Sequence, residues 1–315
     1  MKTKILNSDA AGIQKAAVQI QNGNLVAFPT ETVYGLGANA KNDRAVASIY
    51  EAKRRPNFNP LIVHFENLNN IKEQVVWNKW AEKLAAMFWP GAITLVLSRS
   101  KNCTLSQLVS AGLDTVAVRI PSNIIARTLI KKSACPVAAP SANSAGKISP
   151  TTAAHVKKSL DTKIPFIING GSCAIGVEST VINLSDNEPK LLRSGGITLD
   201  QIVKVIGPIS SDDVGKETIL SPGMLKRHYA PDVPIRLNAT TFSETENVIG
   251  FGPNAPNAVF NLSSTSNLVE AAANLFGLMH KLNRPNANPI AVMPIPEIGI
   301  GIAINDRLRR AATSE

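Results

Sequence analysis

Cysteine is scarce in this chain: Cys103, Cys135 and Cys173 are the only three in 315 residues, and no Cys-x-x-Cys pair occurs. That spacing excludes a zinc ribbon and a disulfide framework, and it suits a reducing compartment. Histidine is nearly as sparse, with four residues and no His-x-x-x-His pair, so no helix-borne metal site is encoded. No apolar run reaches the ~18 residues that a membrane span requires, and the first residues hold no apolar core of signal-peptide length. The expectation is a cytoplasmic protein without a membrane partner. There is no Walker A loop: Gly146-Lys147 is followed by Ile148, and Ser141 stands where its first glycine belongs. A Gly-x-Ser-x-Gly elbow and an evident pair of catalytic carboxylates are also missing. Aromatic residues make up 5%, with no cluster that would form a base-stacking platform.

What is present is cationic. Lys and Arg number 33 against 23 Asp and Glu, a formal charge of +10, which points to a polyanionic partner such as a nucleotide, RNA or DNA. The charges are spread along the chain, so a basic disordered arm is excluded. A hydrophobic content of 44% describes a globular protein, and the length allows two domains.

Periodicity predicts a helix over 8–22 with Asp9 as cap, a strand over 25–28, and a loop over 29–37 rich in hydroxyls and glycine. Gly35-x-Gly37-x-x-Ala40 is discounted as a dinucleotide fingerprint, because no acidic residue follows at the required spacing. Asp43 is read as the cap of a helix that ends in the basic cluster Lys53-Arg54-Arg55-Pro56. Strands are expected over 59–65, 92–97, 115–120, 135–139 and 166–169, and helices over 79–88, 122–132 and 198–205. Residues 176–182 read as a loop running into a strand. Arg119 lies within a hydrophobic strand, where a charge needs a carboxylate or an anionic ligand. Residues 208–234 read as an extended linker that carries His228 and Tyr229, side chains that a passive spacer does not need. Beyond it, strand, strand, helix, strand, helix suggests a small α/β domain with a mainly parallel sheet, its long helix capped by Asn267 paired with Glu270.

Four stretches then stand together: Phe28-Pro-Thr-Glu-Thr-Val-Tyr-Gly-Leu-Gly37; Lys53-x-Arg-Pro56 with Asn59-Pro-Leu61; Ala139-Pro-Ser-Ala-Asn143; and Gly176-x-Glu-Ser-Thr180. In this order they resemble the YrdC-like family. Ser221-Pro-Gly-Met224 with His228-Tyr-Ala-Pro231 is similar to the family's long two-domain form. The resemblance implies a twisted α/β sheet domain with a concave basic face over 1–207, a linker over 208–234 folding across the active site, and a smaller Rossmann-like α/β domain over 235–315.

The resemblance also implies an activity. L-threonine, bicarbonate and ATP would be joined into threonylcarbamoyl-AMP with release of pyrophosphate, and other proteins would transfer the activated group to tRNA beside the anticodon. By that likeness Thr32, His64, Arg119, Ala139 and Ser179 line the threonine side. Arg55, Asn59, Thr115, Ser141, Asn143, Ser149, Arg193 and Tyr229 serve ATP, and Lys53 with Arg55 stabilises charge during catalysis. Mg²⁺ would be held by phosphates rather than by protein side chains. Two rival readings remain: a non-catalytic RNA- or tRNA-binding protein using the same basic face, and a carbamoyl transferase acting on another acceptor.

Overall fold

The chain was described by a computed structural model covering residues 2–210, 228–255 and 260–313. The Ser221-Pro-Gly-Met224 motif and most of the expected linker lie outside those residues. In the first domain the strands are β1 (Lys4–Asn7), β2 (Val26–Phe28), β3 (Gly35–Asn39), β4 (Ile62–His64), β5 (Ile93–Ser98), β6 (Thr115–Arg119), β7 (Val137–Ala138), β8 (Phe166–Asn169), β9 (Thr180–Asn183) and β10 (Lys190–Arg193). They form one mixed sheet in the order β1-β8-β2-β3-β7-β4-β6-β5-β9-β10.

The helices are α1 (Ala10–Gln21), α2 (Asp43–Lys53), α3 (Leu68–Lys72), α4 (Lys79–Phe88), α5 (Ile124–Ser133), α6 (Ala153–Leu160) and α7 (Leu199–Ile206). Asp9 caps α1 by accepting from the Gly12 amide, and Ile13, Ala16, Ala17 and Ile20 are buried, as the sequence pattern predicts. Two local expectations are corrected. Asn42, not Asp43, is the cap of α2, its side chain accepting from Ala45 N. Gly35–Asn39 is a strand rather than a loop, because this segment lies directly over Phe28: a Cβ on Gly37 would stand 2.7 Å from that ring.

The two faces of the sheet are covered unequally. One is buried along its length by α2, α4, α6 and α7, in a core that includes Val46, Leu84, Val156 and Ile202 against Val63, Leu95 and Val118. On the other, α1 and α5 cover only the half built on β2, β7 and β8. Side chains alternate across a strand, so Ile62 and His64 of β4 share the remaining surface with Thr115, Ala117 and Arg119 of β6. Ile62, Val96, Ala117 and Val181 form a small separate apolar cluster there. This uncovered half is where a ligand can meet the sheet.

The second domain has β11 (Ile235–Arg236), β12 (Asn247–Gly250), β13 (Phe260–Asn261), α8 (Leu268–Leu282), β14 (Ile290–Val292) and α9 (Gly301–Ala312). Its strands are all parallel, in the order β11-β14-β12-β13. Asn267 caps α8, but the Glu270 carboxylate accepts from Ser263 Oγ rather than closing back on Asn267. The apolar core of this domain, with Leu275, Phe276 and Ile304, continues into Val33, Ile148 and Val177 of the first domain and into Tyr229. Among the described residues no helix is long and apolar enough to cross a membrane.

Candidate active site

On the exposed half of the sheet, Thr32, Arg55, His64, Arg119, Ala139, Ser141, Glu178, Ser179, Arg193, His228 and Tyr229 line one cavity. It leaves about 40 Å³ of free space, room for a water or two. A roomier cleft of about 710 Å³ beside β1 and β8 is lined by the exposed Lys2, Lys4, Arg54 and Lys163. Only the first has buried polar groups converging from distant parts of the chain, the arrangement expected where chemistry is done.

Arg119 ends β6 almost wholly buried. Its Nε donates to Gly91 O at 3.1 Å, its Nη1 to Thr32 Oγ1 at 3.1 Å, and its Nη2 to the Glu31 carboxylate. The strand charge therefore has a protein partner, Glu31, which the sequence reading does not single out. Burial would raise the Glu31 pKa, but the Arg119 charge and hydrogen bond outweigh it and hold the carboxyl below its usual value. Beside this pair, burial pushes His64 down to about 3, with the Arg119 cation acting the same way. The imidazole is thus neutral at physiological pH, and its Nδ1 has no partner among the described residues.

Also in the lining, Arg193 Nε and Nη2 donate to Ser179 O at 3.0 and 2.9 Å, and Nη2 also reaches Ser179 Oγ at 3.1 Å. Ser179 Oγ is 2.7 Å from Thr94 Oγ1, so its orientation is set from two sides. Arg55 donates to Asn59 Oδ1 at 2.5 Å and to Pro60 O at 3.0 Å. Arg54, in the left-handed conformation at the end of α2 (φ 50°), makes the turn that leads to it. Burial brings Arg55 down to about 10, which still leaves it charged at neutral pH. Tyr229 closes the cavity: it is 1% exposed, adopts a positive φ of 64°, and stacks on Phe276 with centroids 5.4 Å apart. Positive φ is costly for a bulky residue and is held here by packing on all sides.

The remaining expected residues stand around the cavity rather than in its lining. Lys53 is buried and donates to the backbone carbonyls of Ser141 and Asn143, so its ammonium braces the 141–143 loop. Burial holds its pKa well below the usual lysine value, with Arg55 adding to the effect. Asn59 anchors Arg55. The amide of Asn143 donates to Ser144 O and Lys147 O, tying the loop to itself. Ser149 Oγ donates to Glu178 Oε1 at 2.6 Å. Thr115 begins the strand that Arg119 ends, on the same face and about 13 Å away, with its buried Oγ1 unpartnered among the described residues.

Sequence reasoning also passed over Glu178 and Arg307, which pair across 129 positions of chain at 2.7 Å. Burial alone would raise the Glu178 pKa, but Arg307 and Arg193 outweigh it and hold the carboxyl at about 2. The only sequence cue to Glu178 is its place inside Gly176-x-Glu-Ser-Thr180; for Arg307 there was none.

Comparison with known proteins places the chain in a family. A family model described as Telomere recombination (Sua5_yciO_yrdC) matches residues 18–195, and one described as Threonylcarbamoyl-AMP synthase, C-terminal domain, matches residues 197–313. The chain is 41% identical to the threonylcarbamoyl-AMP synthase of Bacillus subtilis, covering 98% of this chain and 95% of that one. It is 44% identical to the protein of the same name from Pyrococcus abyssi, covering 95% and 94%. The crystal structure of P. abyssi Sua5 complexed with L-threonine superposes with a TM-score of 0.91 at 41% identity, covering 98% of both chains. The chain belongs to the Sua5, YciO and YrdC family, in the two-domain form that carries both matched regions.

Proposed function

We propose that this chain makes threonylcarbamoyl-AMP from L-threonine, bicarbonate and ATP, releasing pyrophosphate, and that other proteins then pass the activated group to the adenosine beside the anticodon of tRNA. The observation that carries the reading is the convergence of two buried cation–hydroxyl pairs on one cavity, Arg119 with Thr32 and Arg193 with Ser179. Full-length likeness to proteins named for this synthesis supports it.

Arg119 and Thr32 receive the threonine carboxylate, a bidentate geometry that a guanidinium matches well. Neutral His64 adds a hydrogen-bonding group beside it without a second positive charge, and Ala139 leaves room for the amino acid. Ser179 takes a polar atom of threonine. The uncharged threonine amine attacks bicarbonate to give the N-carboxylate with loss of water. An oxygen of that carbamate then forms a bond to the α-phosphorus of ATP as the bond to pyrophosphate breaks.

Alignment and stabilisation of charge on the phosphate oxygens dominate such a displacement. Arg55 and Arg193 supply the positive charge, and Lys53 acts through the 141–143 loop that it braces. Ser141 lines the nucleotide side, while Asn59, Asn143 and Ser149 support it from behind through Arg55, the Lys147 carbonyl and Glu178, and Thr115 marks its far end along the sheet. Mg²⁺ would arrive on the phosphates, with water completing its shell. Glu178, the carboxylate among the described lining residues, already accepts from Ser149 and Arg307. ATP enters as the segment bearing His228 and Tyr229 moves aside, because the present free space is far below nucleotide size.

The test is pyrophosphate release by the pure protein with ATP and Mg²⁺. Release should require both threonine and bicarbonate, whereas release indifferent to threonine would reject the assignment. RNA binding as the sole activity predicts no pyrophosphate and a steep salt dependence of association.

A further inference from the structure

The second domain sets a charged side chain behind the wall of the first domain's cavity, against two of its lining residues. Arg307, on α9, is fully buried. Its Nε donates to Glu178 Oε2 at 2.7 Å, its Nη2 to Ser194 O at 2.9 Å and its Nη1 to Asp306 Oδ2 at 2.6 Å. The guanidinium also stands 5.3 Å from the centre of the Tyr229 ring. Glu178 and Tyr229 both line the cavity, and Arg193 lines it beside them. A cavity meant for a triphosphate thus carries a buried carboxylate in its wall.

Left unbalanced, that carboxylate would repel the phosphates and draw Arg193 toward itself. Domain docking does not require such a pair, since Phe276, Met279 and Ile304 already pack against Val33 and Val177. A buried ion pair generally adds little to stability against an apolar contact of the same size. A role in the site explains it better.

We propose that Arg307 is a positioning residue for the nucleotide: by neutralising Glu178 and seating Tyr229, it lets the C-terminal domain complete the ATP site. The proposal rests on the reading that this cavity takes ATP, and the experiment separates the two. Binding of a non-hydrolysable ATP analogue to the full chain is measured by calorimetry, alongside KM for ATP and for threonine. Arg307→Met, which keeps bulk and removes charge, should weaken analogue binding and raise the ATP KM by about tenfold to a hundredfold. The threonine KM should move less than about threefold.

Arg307→Lys should fall between wild type and Arg307→Met, and it serves as the variant to read if Arg307→Met does not fold. Adding Glu178→Gln to either variant should recover most of the analogue affinity, because the charge in need of a partner is gone. Equal analogue affinity in wild type and Arg307→Met overturns the proposal. So does a Glu178→Gln double variant no better than its parent, which would make Glu178 itself the group that ATP needs. Failure of the wild-type protein to bind the analogue would instead remove the ATP reading on which the proposal stands.

Discussion

At Arg119, three of the five guanidinium N–H groups already point at Gly91 O, Thr32 Oγ1 and the Glu31 carboxylate. The head group is therefore locked before any substrate arrives, which lowers the ordering cost of binding a second carboxylate. Arg119→Ala removes both the anchor and the partner of Glu31. The stranded carboxylate should cost about 3–5 kcal/mol of stability, and the threonine KM should rise by about tenfold to a hundredfold with the ATP KM little changed. Adding Glu31→Gln should restore the urea midpoint while leaving the threonine KM high. Equal losses for threonine and ATP would contradict the assignment of Arg119 to the amino acid. At this scale the sequence was informative about need and silent about partner. A cation inside Val116-Ala-Val-Arg119 announces that something must pair with it, but Glu31 lies 88 positions away, brought there only by the order of the strands.

Among the elements, backbone approach decides what side chains cannot. The turn after β10 presses Gly195 against the segment entering β9, where an added Cβ would stand 2.3 Å from Glu178 O and 2.4 Å from Thr180 N. These are backbone atoms with no freedom to yield. Gly195→Ala should therefore destabilise the fold by at least about 1–3 kcal/mol and shift Ser179 in the cavity wall. In contrast, Gly277 sits within α8 with nothing within 4 Å of its would-be Cβ. Gly277→Ala should stabilise by about 0.4–1 kcal/mol through helix propensity and a less entropic unfolded chain. Urea titration of both variants checks the pair, and a neutral Gly195→Ala would mean that the clasp is looser than drawn. Helices with capping residues and one apolar face, such as α1 and α8, were legible because their signals are local. The segment Gly35–Asn39 was not, because its glycines answer to Phe28 and Val137, neighbours that pairing supplies. Asn143 and Ser149 are ligand residues by type, but the hydrogen bonds that place them beside the cavity, to Lys147 O and to Glu178, carry no signal in the sequence.

Across the whole molecule, the four histidines share one physical condition. Burial lowers His64, His228 and His280 to about 3 and His155 to about 4. His155 and His280 stack between the domains with centroids 4.0 Å apart. Each folded pKa lies below the unfolded value of about 6.5, so the unfolded chain binds more protons than the native one between about pH 3 and 6.5. Stability therefore rises with pH through that window and is lost as pH falls. The two fully buried residues, His64 and His228, should each lose about 1.4 kcal/mol per pH unit below about 6.5. The half-buried pair should lose less, since solvent screens it. Glu31 and Glu178, whose pKa values are lowered, change stability in the same direction but only below about pH 4.5. Between pH 7 and 5 the histidines alone should set the slope, for a fall on the order of 4 kcal/mol. Urea midpoints at pH 7.5, 6 and 5 measure it directly, with His155→Gln expected to flatten the curve slightly. A midpoint constant down to pH 5 would mean that these imidazoles reach solvent, contrary to a nearly closed cavity and a packed domain interface.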